Sequence, residues 1–256
     1  MSVELVLNAS PATAGPITAP AFPDAGEALL QYGRRFWYAM RRCWWSSYWR
    51  LHVDGAAHVP HRGAVLLCAN HASHLDAPAI LAALPREVAL RTSTAAAKDV
   101  FADYRWREIV SRVITNALPI EREAGFSRGL RELEAVLHER RPLILFPEGR
   151  RSSGGNLVEF KPGAAMLSLR TGTPIVPIHI AGADTSLPRG GYFPRSGDVR
   201  VRFGEPIDPQ PLRRAVAEQR LSKREAYERL TNELRAAILA LATAPSSQPQ
   251  PARRAA

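Results

Sequence analysis

The pattern of this chain predicts an α/β fold, a layered mixed sheet flanked by helices and preceded by an amphipathic membrane-surface helix. Three observations carry that expectation. Short apolar runs alternate with longer segments of helical periodicity, the rhythm of layered α/β folds. The runs are bounded by Gly and Pro and are apolar throughout, which fits strands covered on both faces. At 256 residues the chain is also long enough to bury one large core.

In chain order, residues 1–23 are rich in Ala, Pro, Thr and Ser and are expected to form a disordered leader. A basic amphipathic interfacial helix is expected over 24–50, a folded domain over 51–243, and a second low-complexity tail over 244–256. Within the domain, strands are expected at 65–69, 88–94, 117–120, 143–146, 174–180 and 199–203. Helices are expected at 74–84, 99–115 and 126–140, after Gly163, and near 211–219 and 223–242.

The formal net charge is +10, almost wholly from arginine, since the only lysines are Lys98, Lys161 and Lys223. Such a surplus fits an anionic partner, whether nucleic acid, anionic lipid or a phosphate-bearing substrate, and does not choose among them. Cys43 and Cys68 make no disulfide framework and imply no oxidising compartment. Acids and prolines come early, without the basic start and apolar stretch of a secretory signal. No window reaches the roughly 18–20 uninterrupted apolar residues of a spanning helix, so membrane contact is expected to be peripheral.

The segment from Glu27 to Leu51 stands apart, with four of the five tryptophans of the chain. On a helical wheel Leu29, Phe36, Trp37, Met40, Cys43, Trp44 and Leu51 share one broad face. Gln31, Arg34, Arg35, Arg41 and Arg42 gather on the other, with Tyr38, Trp45 and Trp49 among them. Aromatic rings beside arginines suit a headgroup region, where indoles are partly wet and guanidinium groups meet phosphates, while an ordinary core-packing helix with a solvated basic face accounts for the same pattern.

Three clusters follow strand ends, where α/β proteins place ligands. Asn70 to Asp76 reads NHASHLD. Ser73 and Asp76 have capping-box spacing, and Asp76 in a first helical turn can reach back to His71. A carboxylate holding one ring N–H leaves the other nitrogen as a base, but a plain helix cap explains the same residues. His74 invites a metal reading that lacks a further ligand. Leu143 to Ser152 reads LILFPEGRRS, with Arg150 and Arg151 after a tight exit and Lys161 further on. Backbone N–H groups and guanidinium groups there suit an anionic head group, and a plain strand-to-loop turn with solvated arginines explains the same residues. Ala117 to Arg122, ALPIER, puts an arginine after a third short strand.

Together these residues resemble the glycerophospholipid acyltransferase family, typified by 1-acylglycerol-3-phosphate acyltransferases. Its His-x4-Asp block matches His71 and Asp76 with the flanking Asn70 and Ser73. Its arginine-ending block matches at Arg122, its Phe-Pro-Glu-Gly block at Phe146 to Gly149, and its Val-Pro block at Val176 and Pro177. All four stand in order within about residues 50–205. Two departures concern blocks the family uses for its acceptor: Arg150 stands where Thr is common, and Asn116 and Pro119 where Gly and Phe are.

The resemblance implies an O-acyltransferase whose His71 deprotonates an acceptor hydroxyl as it attacks a thioester, with Asp76 orienting His71. Arg122, Glu148, Gly149, Arg150 and Lys161 would bind substrate. The donor would be acyl-CoA or acyl carrier protein, and the acceptor a lysolipid, most simply 1-acylglycerol-3-phosphate, with a lyso-ornithine lipid as alternative. No metal or resident cofactor is implied, and direct attack on the thioester needs no serine nucleophile. The expected site of action is the cytoplasmic face of a membrane, the protein lying on an anionic surface. A non-catalytic nucleic-acid binder accounts for the charge but leaves the ordered blocks unused.

Overall fold

The computed structural model describes residues 32–33, 35–40, 45, 48–97, 112–120, 126–151, 159–187 and 195–244. The expected leader, nearly all of the expected tail, most of the 99–115 helix and Arg122 lie outside the described residues.

One seven-stranded sheet organises the domain, in the order β1-β7-β6-β2-β5-β3-β4. The strands are β1 (Trp49–Asp54), β2 (Leu66–Ala69), β3 (Ser93–Ala97), β4 (Ala117–Ile120), β5 (Leu143–Leu145), β6 (Ile175–Ala181) and β7 (Gly197–Phe203). All neighbours run parallel except β6 and β7, which makes the sheet mixed. Helices bounded within the described residues include α1 (Asp76–Ala83), α2 (Arg86–Arg91), α3 (Phe126–His138), α4 (Gly163–Thr171), α5 (Ala183–Ser186), α6 (Gln210–Ala217) and α7 (Lys223–Thr243).

The apolar run Val65–Ala69 shows why β2 is central. Val65, Leu67 and Ala69 join a core with Ile80 and Val88 from α1 and α2. Leu66 and Cys68 point the other way, into a core with Leu133, Leu167 and Leu234 from α3, α4 and α7. Side chains alternate along a strand, so a strand buried on both faces must be apolar at every position. Cys68 is fully enclosed, and burial pushes its thiol well above the usual cysteine range. Helix α7 opens on a capping box, Ser222 with Glu225, and buries Ala226, Leu230, Leu234 and Ile238 at helical spacing.

Two expectations need correction. The interfacial helix does not run to residue 50, because Trp49 opens β1, which pairs with β7 from Trp49↔Gly197 onward. The expected strand over 88–94 is helix α2 over Arg86–Arg91, followed by β3 over Ser93–Ala97. Pro85 stands at the head of that helix and Glu87 in its first turn, both helix-start signals. The strand then falls on Ala-rich sequence of poor intrinsic preference, placed there by its pairing with β4 and β5.

The aromatic segment also turns over relative to expectation. Residues 32–33, 35–40 and 45 are helical. Trp45 and Trp49 are 5 % and 4 % exposed, and Tyr38 packs against the same core. Their large apolar area outweighs the arginines beside them in sequence, so these rings anchor the segment to the domain instead of sitting wet at its polar edge. Tyr32, Phe36 and Met40, at i, i+4 and i+8, remain exposed. No helix among the described residues is long and apolar enough to cross a membrane.

Candidate active site

β2 ends at Ala69, and Asn70 and His71 leave the sheet at the carboxyl end of its central strand. Five residues later Asp76 begins α1, 1 % exposed. One carboxylate oxygen, Oδ2, accepts three bonds: from the His71 ring at Nδ1 (2.8 Å), from the Ala72 N–H (2.7 Å) and from the Ser73 N–H (2.8 Å). The same carboxylate therefore caps the turn and holds the imidazole. Only half of the expected capping box forms. Ser73 Oγ takes the Leu75 N–H at 3.2 Å and donates to the Leu187 carbonyl at 2.9 Å.

A carboxylate oxygen can only accept, so Nδ1 of a neutral His71 carries the proton and Nε2 holds the lone pair. Two contacts from the exit of β5 hold the histidine further, one at its ring and one at its main chain. Phe146 stacks on its face, with ring centroids 4.1 Å apart and planes 21° from parallel. Glu148, 1 % exposed, accepts the His71 backbone N–H at Oε1, 2.8 Å away. The buried Glu148 carboxylate is thus engaged with the histidine's own main chain, which the motif did not reveal. His74 is exposed. Among the described residues no three His, Cys, Asp or Glu side chains gather as a metal ion would need.

Gly149 adopts φ +67°, a left-handed conformation costly to any residue with a Cβ. A Cβ there would also stand 3.2 Å from Cδ, Cε and Nζ of Lys161. The Lys161 N–H donates to the Pro147 carbonyl at 2.9 Å, and this bond folds Lys161 over the Phe-Pro-Glu-Gly turn. Arg150 stands exposed one residue on. The structure thus brings His71, Asp76, Glu148, Gly149 and Lys161 together beyond the carboxyl ends of the central strands β2 and β5.

Phe146 is also a wall of a cavity of about 300 Å³ between α3, α4 and β5. Leu130, Leu133, Leu145 and Leu167 line its interior, and Gly149 and Lys161 stand at it too. An apolar chamber therefore adjoins the stacked imidazole. Pockets of this size lined by apolar side chains with a few polar groups are characteristic ligand sites.

The departures in the arginine-ending block are structural. Asn116 has φ +49°, the region Gly favours and Asn tolerates best among other residues. Its side chain bonds the Thr92 carbonyl and Ser93 Oγ. Pro119 falls in edge strand β4, where a missing N–H is tolerated. The Val-Pro block lies inside β6, with Pro177 opposite Cys68, so it builds the sheet beside β2.

The family model described as Acyltransferase matches residues 50–181. The chain is similar to the 1-acyl-sn-glycerol-3-phosphate acyltransferase of Limnanthes alba, 29% identical over 163 residues, 62% of this chain and 54% of that protein. It is similar also to the enzyme of that name from Borreliella burgdorferi, 25% identical over 175 residues, 66% and 68% of the two chains. The chain spans about half the length of the first of these curated relatives. The crystal structure of the 1-acyl-sn-glycerophosphate (LPA) acyltransferase from Thermotoga maritima matches with a TM-score of 0.62 at 23% identity, covering 88% and 86% of the two chains, and shows the same fold. The stretch from β1 to the end of β6, which carries the His71–Asp76 pair, the Phe146–Gly149 turn and the Val176–Pro177 strand, makes this chain a member of the Acyltransferase family.

Proposed function

We propose that this protein transfers a fatty acyl group from a thioester donor to the free hydroxyl of 1-acylglycerol-3-phosphate, giving phosphatidic acid. The observation that carries the reading is the placement of His71, bonded to Asp76 at Nδ1 and stacked on Phe146 beside an apolar cavity. The names of the relatives support the acceptor.

In this reading Nε2 of His71 takes the proton of the acceptor hydroxyl as its oxygen attacks the thioester carbonyl. The tetrahedral adduct collapses, the C–S bond breaks, and the imidazolium returns the proton to the departing sulfur. Asp76 stabilises the imidazolium and keeps Nδ1 protonated. The acyl chain of a substrate occupies the cavity behind Phe146. Lys161, with Arg150 and Arg122, holds the acceptor phosphate, while acyl-CoA and acyl carrier protein both remain candidate donors. No resident cofactor takes part.

The protein works lying on an anionic membrane. Tyr32, Phe36 and Met40 form an exposed apolar stripe beside the exposed Arg35, and the chain carries net charge +10. Such a stripe enters the acyl boundary while arginines meet phosphates. The test is purified protein with acyl-CoA and a panel of lysolipids, read by product mass. Phosphatidic acid as the main product supports the reading. A lyso-ornithine lipid as the preferred acceptor, which exposed Arg150 in place of Thr would suit, replaces it.

A further inference from the structure

We infer that the position of His71 is set by a two-sided clamp at the end of β2, Asn70 holding β6 and Glu148 reaching across from β5, so that both are positioning residues. The sheet order places β2 between these two strands. Its register with β6 runs from Leu66↔Ile175 to Ala69↔Ile178, which continued would set Ile180 opposite His71. A continuing parallel ladder would join the Ile180 N–H to the main-chain carbonyl of Asn70, and the Ile180 carbonyl to the Ala72 N–H. Neither bond forms. The side-chain amide of Asn70 supplies both partners instead, Oδ1 accepting the Ile180 N–H at 2.7 Å and Nδ2 donating to the Ile180 carbonyl at 2.9 Å.

That replacement has two consequences. Ile180 loses no hydrogen bond although the ladder has ended, so the chain can leave the sheet at His71 without stranding buried backbone groups. The Ala72 N–H, released from the ladder, donates to Asp76 Oδ2 at 2.7 Å and helps place the carboxylate under the imidazole. On the opposite side the His71 N–H meets Glu148 Oε1 at 2.8 Å. Glu148 therefore fixes the main chain of His71, and Phe146, from the same turn, fixes its ring. The Phe-Pro-Glu-Gly turn acts on the histidine as well as on substrate, and Glu148 acts through His71.

The inference deepens the proposed reaction and rests on it only for its kinetic readout. Its test uses full-length protein labelled with 15N-histidine, which reports seven histidine amides, in wild type and in Glu148→Ala, Glu148→Gln and Asn70→Ala. In Glu148→Ala the His71 amide should lose its protection from hydrogen exchange. Its kcat should fall about a hundredfold with the acceptor KM unchanged, the scale of a misplacement near 1 Å. Glu148→Gln keeps an accepting oxygen and should restore protection and most of kcat. Asn70→Ala should lower kcat in the same KM-neutral way. Unchanged His71 exchange in Glu148→Ala overturns the clamp, as does a Glu148→Gln variant whose acceptor KM rises tenfold while kcat holds. Should Glu148→Ala not fold, the kcat and KM of Glu148→Gln still decide. Amide exchange needs no turnover, so an error in the acceptor assignment leaves this part of the test intact.

Discussion

Asp76→Asn separates charge from geometry at the centre of the site. An amide oxygen in the place of Oδ2 can still accept from Ala72, Ser73 and His71 Nδ1, so the loop and the ring orientation persist. What goes is the negative charge facing the imidazolium of the proposed transfer. Two unit charges about 4 Å apart attract by about 4 kcal/mol at an effective dielectric of about 20. Lost from the transition state alone, that is about three powers of ten in kcat. The amide nitrogen takes the place of Oδ1, which is buried without a hydrogen-bond partner among the described residues. An unpaired buried NH2 costs about 1–3 kcal/mol of stability, a fall of several degrees in Tm. Thiol release from acyl-CoA at saturating acceptor gives kcat, and a thermal melt gives the stability. A variant within tenfold of wild-type kcat would show that the carboxylate serves only as a helix cap and refute the charge argument.

Three further outcomes follow from other parts of the molecule. Leu133→Trp, which fills part of the cavity behind Phe146, should shift donor preference toward shorter acyl chains. Each excluded methylene is worth about 0.8 kcal/mol, or about fourfold in kcat/KM, measurable by competition between donors of different length. Phe36→Ser should weaken binding to anionic vesicles about tenfold in a sedimentation assay while moving Tm by less than about two degrees, since Phe36 is 69 % exposed. Burial, with the Arg202 charge beside it, holds the His179 imidazole below its ordinary range. The unfolded chain then takes up a proton near pH 6.5 that the folded chain resists, so this contribution is complete above that pH and is lost as pH falls below it. His179→Gln should flatten the fall of Tm as pH drops below about 6.5.

How far these features were legible in sequence depends on the distance over which they act. His71 and Asp76 lie five residues apart and the turn joining them is local, so their spacing allowed the contact beside a plain helix cap, and only the order of the other blocks favoured it. The clamp depends on strand neighbours: Glu148 is 77 residues from His71, and Ile180 is 110 from Asn70. No spacing encodes that β2 lies between β5 and β6. The cavity is likewise a property of how α3 and α4 pack, and motifs are silent on it. Trp49 misled for the same reason. A helical wheel placed it among arginines, whereas its pairing with Gly197, far along the chain, makes it the first residue of a strand. At Asn116 and Pro119 the departures from the family pattern met backbone demands, a left-handed φ and an edge strand, that sequence shows only once the fold is known.

The central claim is that His71 acts as the base in acyl transfer to a lysolipid hydroxyl. Purified His71→Ala, checked for a wild-type melting transition and vesicle binding, should be assayed with acyl-CoA and 1-acylglycerol-3-phosphate and its products weighed by mass spectrometry. If His71 is the base, the variant is a folded, membrane-binding protein that forms no phosphatidic acid above background. Phosphatidic acid formed by His71→Ala at the wild-type rate would contradict that role.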